Sequence, residues 1–182
     1  KTDGNGTLFL DNLYFWKESD TTPTIAAPSP TKAGSNVISV FSDVYTSISI
    51  DTDPNWGQNT DATEIDINGN TTLKYENLNY QGLNYEEHTD VSSMDYIHLD
   101  YYTNDATEFE FSLISHGPQE NSYNIATNEG IILGQWVSID IPLNSYTVPD
   151  LSNLFQFKTD GNGTLFLDNL YFWKESDTTP TI

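Results

Sequence analysis

Hydrophobic and polar residues alternate along most of this chain with a period of two. In "MDYIHLDYY" (94–102), Met94, Tyr96, His98, Asp100 and Tyr102 fall on one face and Ile97, Leu99 and Tyr101 on the other. "EFEFSLI" (108–114) sets Phe109, Phe111 and Leu113 against Glu108, Glu110 and Ser112. "QWVSIDIPL" (135–143) sets Trp136, Ser138 and Asp140 against Val137, Ile139 and Ile141. Side chains of a β-strand point to opposite faces in turn, so this period predicts half-buried strands. "NVISVF" (36–41), "TEIDIN" (63–68), "TTLKYENL" (71–78), "LFQF" (154–157) and "TLFLDNLYFW" (164–173) extend the set, with turn residues between them. "GN" after "TEIDIN" reads as a two-residue turn. "DGNG" (160–163) reads as a hairpin turn, the alternative being a calcium loop through Asp160 and Asn162; Tyr171 stands where an EF-hand loop would need glutamate. Helix signals are nearly absent. The expectation is an all-β fold, an antiparallel β-sandwich or jelly roll.

The first twenty-five residues, "KTDGNGTLFLDNLYFWKESDTTPTI", recur without change at 158–182. Such identity implies a tandem array with one domain in each period of about 157 residues, too long for a solenoid repeat. Residues 18–35, rich in Pro, Thr, Ser and Ala, read as an extended linker. This divides the chain into four parts. Residues 1–17 are the final strand of a preceding repeat, 18–35 a linker, 36–174 the β-sandwich, and 175–182 the start of the next linker. The apolar residues of 3–17 are expected to dock into a neighbouring repeat, of the same chain or of an identical molecule head-to-tail.

Composition narrows the function. There are 27 acidic residues against six basic ones, a formal net charge of −21. Such a surface repels phosphate backbones and anionic membranes, so nucleic acid is excluded as a partner. Sulfated and uronic polysaccharides, which call for Arg or Lys, are disfavoured; neutral ligands and divalent cations fit better. The absence of cysteine is compatible with an extracellular protein that does without disulfides. No segment is apolar enough to span a membrane, and membrane insertion is not expected. Aromatic residues make up 13% of the chain, more than a disordered chain would carry.

At "VISVFSDVYT", "NWGQ", "TTLKYENLNYQG", "VSIDIPL" and "QFKTDGNGTLFLDNLYF", the sequence resembles β-sandwich carbohydrate-binding modules. These occur in secreted glycan-degrading enzymes and surface glycan-binding proteins of Bacteroidetes. The resemblance covers most of 36–174 and implies a jelly roll, an extracellular or cell-surface location, sugar binding without catalysis, and a structural Ca²⁺. The matching ligand positions are Asp43 and Asp168, with Asp11 the counterpart of Asp168 in the neighbouring repeat. A carboxylate inside the apolar run "LFLDNLYF" should not be buried unpaired, which also favours a cation at Asp168. A hydrogen-bonded or capping Asp is the alternative. Asp20-Thr21-Thr22, repeated at Asp177-Thr178-Thr179, resembles the Bacteroidetes O-glycosylation sequon and marks Thr21 and Thr178.

Neutral sugars stack their CH faces on aromatic rings while polar groups fix their orientation. The candidates are Trp56 and Gln58 in "DPNWGQN", Tyr80 and Tyr85 around "QGLN", and His98 and Tyr102 on one strand face. Trp136 and Trp173 read as core. Carboxylates are too common here to single out a glycosidase pair, and the three histidines lack metal-ligand spacing. No catalytic activity is expected. Two functions remain, and the repetition of identical residues favours the first. One is a non-catalytic repeat of a long surface protein (a fibre, sheath or adhesin array). The other is a working carbohydrate-binding module for a neutral β-glucan-like polysaccharide.

Overall fold

The computed structural model describes residues 4–9, 11–15 and 21–175. Thr178 lies outside them. As the alternation predicts, two antiparallel sheets stack face to face. Sheet A runs β3 (Asp61–Asp66), β4 (Thr71–Glu76), β11 (Leu165–Trp173), β6 (Tyr96–Thr103), β9 (Val137–Pro142), with β1 (Val37–Phe41) also on β11. Sheet B runs β2 (Ile50–Asp51), β5 (Tyr80–Thr89), β10 (Leu154–Gly161), β7 (Phe109–Ser115), β8 (Gln119–Asn124). Among the described residues the only α-helix is one turn, α1 (Ile125–Asn128). The alternating residues Ile97, Leu99, Tyr101, Phe109, Phe111 and Leu113 meet between the sheets, where burial of apolar surface holds the layers together.

The β3–β4 turn is a two-residue hairpin centred on Asn68 (φ 56°) and Gly69 (φ 84°), one position earlier than the "GN" reading. Ile67 and Asn70 exchange backbone hydrogen bonds of 2.9 and 3.3 Å across it. "DGNG" is different. It is not a hairpin, because β10 belongs to sheet B and β11 to sheet A; the stretch carries the chain from one layer to the other. The Asn162 side chain accepts from the backbone N–H groups of Thr107 and Glu108 at 2.8 and 3.2 Å, and Gly163 takes φ 72°. Gly163 supplies the left-handed backbone and Asn162 a side-chain acceptor for the neighbouring loop, while the flanking strands take partners in different sheets.

β11 organises sheet A. On one side it pairs with β6 over its length; on the other, Leu165–Leu167 pair with β4 and Leu170–Trp173 with β1. The change of partner falls on a bulge at Asp168-Asn169, where Asn169 adopts φ 49°. All nine residues of β11 are buried. Leu165, Leu167, Leu170 and Phe172 face the core. Phe166, Asp168, Tyr171 and Trp173 lie on the other side and are also covered.

Part of the cover is the segment expected to be a linker. Residues 21–33 run along the outer face of sheet A as a strap. Asn104 Nδ2 donates to the Thr21 carbonyl and Asn68 Nδ2 to that of Thr24, each at 2.8 Å. Trp136 Nε1 donates to Ile25 O and Asn169 Nδ2 to Pro28 O, each at 2.9 Å. Lys32 Nζ sits 3.2 Å from the centroid of the Trp173 ring, and Pro23 is buried. Proline-rich chain suits this role. It is already extended, loses little entropy on docking, and offers carbonyls as acceptors. Trp136 and Trp173 therefore serve the strap side of sheet A and not the core between the sheets.

Beneath the strap His98 is held between two carboxylates. Nδ1 lies 2.8 Å from Asp140 and Nε2 3.5 Å from Asp100, and the ring stacks on Tyr171 at 4.6 Å. Trp173 Nε1 donates to the same Asp140 oxygen at 2.7 Å. Burial pulls the imidazole pKa down, but hydrogen bonding and attraction from Asp100 and Asp140 outweigh it and raise the value to about 9. A raised value means that the charged ring contributes stability in full below its unfolded value near 6.5, and that this contribution is lost as pH rises through about 9. The melting temperature should fall by several degrees between pH 6.5 and 9, and His98→Gln should flatten that slope; equal slopes would show that this ring is not the titrating group.

Candidate functional site

The outer face of sheet B is polar and open where that of sheet A is covered. Its residues form rows across the strands. One is Tyr80, Asp160, Glu110 and Asn124; the next is Gly82, Lys158, Ser112 and Ser122; the third is Asn84, Gln156, Ile114 and Glu120. Alternation places them there, because their neighbours Leu83, Phe157, Phe111 and Leu113 point into the core. A groove of about 610 Å³ opens at the β10, β7 and β8 side of the first two rows, lined among others by Asn79, Glu110, Asn124, Lys158 and Asp160.

Trp56 forms the β5 flank of this face. Its six-membered ring lies over Gly82, so close that a Cβ there would meet Cζ3, Cη2 and Cε3 at 2.4, 2.5 and 2.6 Å. Only glycine allows the indole to seat on the sheet. The loop is fixed by its own polar groups. Trp56 N–H donates to Gln58 Oε1 at 2.7 Å, Gln58 Nε2 donates to Pro54 O at 2.8 Å, and the Tyr80 hydroxyl donates to Trp56 O at 2.9 Å. Gln58 also reaches the buried Gln81, which in turn donates to Asp53. The indole remains half-buried, a platform beside a polar floor.

Amides and hydroxyls make up most of that floor's polar groups, and its charged groups are three carboxylates against one lysine. Lys158 is clasped by Glu120 at 2.5 Å and Asp160 at 3.3 Å, and Glu110 accepts from Asn124 at 2.6 Å. Burial raises the Lys158-paired Asp160 above the usual carboxylate range, with Glu120 and Glu110 adding to the rise and Lys158 opposing it.

Of the expected sugar-contacting residues, Trp56, Gln58 and Tyr80 come together at this face. The other three do not join them. Tyr85 points into the core, edge-on to Phe157 at 5.0 Å, because its position in β5 has the parity of Leu83. His98 and Tyr102 are on the outer face of sheet A, on the opposite side of the sandwich; His98 is buried and Tyr102 packs against Trp136 and Phe166. Residues that sequence reasoning missed are Gly82, Asn84, Gln156, Lys158, Glu110 and Asn124. The one available signal was "YQGLN", whose glycine interrupts an alternating run.

Asp43 and Asp168 converge at a separate corner, on the β11 bulge. Asp168 is fully buried. Its oxygens accept from Asn70 Nδ2 and, at 2.6 Å, from Asn169 N–H, while Asp43 accepts from the next backbone N–H, that of Thr71. Desolvation raises the Asp168 carboxyl to about 6. The hydrogen bonds from Asn70 and Asn169 oppose the rise, and the nearby charges of Asp100 and Asp43 add to it. A buried acid near two other carboxylates is short of positive charge. Two carboxylate oxygens and the Asn70 amide are hard donors of the kind calcium takes, and a half-turn of that amide presents its oxygen. The donor set fits a hard cation that draws the rest of its shell from neutral oxygens. Among the described residues no three Asp, Glu, His or Cys side chains gather into a metal cluster. Asp11, the counterpart of Asp168, is exposed and accepts from the adjoining Asn12 N–H at 2.8 Å. Thr21 is exposed at the start of the strap.

No family model and no curated protein matches the chain. Its fold does match solved structures. A family 11 carbohydrate-binding module of a cellulosomal cellulase of Clostridium thermocellum aligns at 15% identity and TM-score 0.50, over 76% of this chain and 95% of the module. A family 30 carbohydrate-binding module aligns at 13% identity and TM-score 0.55, over 80% and 92%. An agarase aligns at 13% identity and TM-score 0.51, over 78% of this chain but 25% of the agarase. At these identities the likeness is one of fold: the chain has the β-sandwich of carbohydrate-binding modules.

Proposed function

We propose that this domain is a non-catalytic, extracellular carbohydrate-binding module whose groove on sheet B holds a neutral, β-glucan-like chain. The observation that carries this is the Trp56 indole seated on Gly82, whose cross-strand neighbour Lys158 lines a polar groove. A pyranose ring can lay its CH face on such a platform while the amides and hydroxyls of the floor take its hydroxyls. The acidic floor disfavours anionic polymers, as does the net charge of −21. The fold likeness to carbohydrate-binding modules supports this reading. The verbatim repetition of twenty-five residues favours a second, compatible one, in which such modules are strung in a surface fibre, sheath or adhesin.

Calcium at the β11 bulge is part of the proposal, with Asp168 and Asp43 as its carboxylate ligands. An ion there would neutralise the buried acid and tie β11 to the β3–β4 turn.

Affinity electrophoresis through neutral glucans should retard the protein. Trp56→Ala should weaken that binding by about 2 kcal/mol, roughly thirtyfold, as should Gly82→Ala, which displaces the indole without removing it. If no neutral glucan retards the protein, or if Trp56→Ala binds as well as the parent, the groove reading is wrong. For calcium, the buried Asp168 must be ionised to bind, so added Ca²⁺ should raise the melting temperature more at pH 7.5 than at pH 4.5. Asp168→Asn should abolish the rise. An equal response from the variant would place the ion elsewhere.

A further inference from the structure

We infer that residues 8–15 are the last strand of sheet A of a second copy of this domain, fitting the slot between β6 and the β4–β1 edge that 165–172 fill in their own. The two segments are identical in sequence, residue 8 matching 165 and residue 15 matching 172. Their surroundings are opposite. Leu165, Phe166, Leu170, Tyr171 and Phe172 are at most 1% exposed, whereas Leu8, Phe9, Leu13, Tyr14 and Phe15 are 62, 90, 84, 73 and 101% exposed. The exposed copy already has the backbone conformation that forms the bulge in β11. Asn12 has φ 56° where Asn169 has 49°, and its N–H bonds to Asp11 as that of Asn169 does to Asp168. A left-handed asparagine is of no use to a lone extended segment. In sheet A it lets one strand change from β4 to β1.

The strap decides that the partner is another copy. It starts beside Asn104, next to the Leu165 end of β11, and ends over Trp173. If residues 8–15 occupied the slot of their own molecule, Trp16 would lie at the Trp173 end and Thr21 at the Leu165 end. A strand of nine residues spans about 26 Å, while the five residues from Trp16 to Thr21 reach about 17 Å at most. The strap would have to leave sheet A. With a second copy no conflict arises: the strand ends in one domain and the strap of the next begins within that reach. Successive domains then follow head-to-tail, joined over a few residues and not by the eighteen of a free linker. This holds whatever the groove of sheet B binds.

The full chain allows a direct test. Phe172→Asp puts a charge into the core from the chain's own β11, so the slot should be taken by residues 8–15 of another molecule. We expect a folded protein that associates with rising concentration in analytical ultracentrifugation. Phe15→Asp alone should leave the monomer and its melting temperature unchanged, and the double variant should neither fold nor associate. If Phe172→Asp does not fold by itself, a synthetic peptide of residues 1–17 should restore its sheet signal in circular dichroism, and the same peptide with Phe15→Asp should not. A folded Phe172→Asp monomer, association that survives in the double variant, a lower melting temperature for Phe15→Asp, or a protein unfolded even with peptide would each overturn the inference.

Discussion

The structure depends on one strand that cannot be left half-covered. β11 presents large apolar or ionisable groups on both faces, and all nine residues are buried. The inner face is served by the sandwich core. The outer face carries Phe166, Asp168, Tyr171 and Trp173; the strap meets Asn169 and Trp173, Tyr102 packs on Phe166, and His98 and Tyr45 pack on Tyr171, the latter edge-on at 5.2 Å. The bulge at Asp168-Asn169 shifts the strand's facing and lets two short strands share one edge. The buried carboxylate, the left-handed asparagine and the strap's contact with Asn169 are consequences of that single irregularity.

Closing one face of the sandwich determines where a ligand can go. Sheet A has spent its outer surface on the strap, the His98 network and the Tyr102–Trp136–Phe166 cluster. Sheet B keeps an open floor with a groove and one seated indole. The polar face of β6, with Tyr, His, Asp and Tyr in alternation, has the composition of a wet binding surface but is an interior built from polar parts. Each of its groups finds a partner: His98 takes Asp140 and Asp100, and Asp100 takes Ser138 and Asn169.

The layers were legible wherever alternation was strict, as in β6, β7 and β9, because side chains of a strand face opposite sides in turn; β11 was legible as a long apolar run, but not which face each residue takes across its bulge. Asp43 and Asp168 were named together through the resemblance, and Trp56, Gln58 and Tyr80 by residue type; that they bind calcium and sugar is part of the proposal. What failed did so for identifiable reasons. β8, "QENSYN", is an edge strand with little apolar content to betray it. β5 carries Gln81 on its core side and Gly82 on the other, which hides its alternation and with it the parity that sends Tyr85 inward. "DGNG" has hairpin chemistry, but which sheet the next strand joins is a long-range matter. The strap is proline-rich chain without periodicity; its contacts are carbonyls accepting from side chains of five other segments, which no local pattern reports.

Two copies of one segment, buried and exposed in the same molecule, offer an internal control. Identical sequences have identical open-chain exchange rates, so amide hydrogen exchange followed by NMR, with unique flanking residues distinguishing the copies, reports their surroundings alone. If the partners around β11 and not its own sequence hold it in place, amides of 165–172 should exchange at least about a thousandfold more slowly than those of 8–15 in the dilute monomer. Equal protection of the two copies would contradict the account.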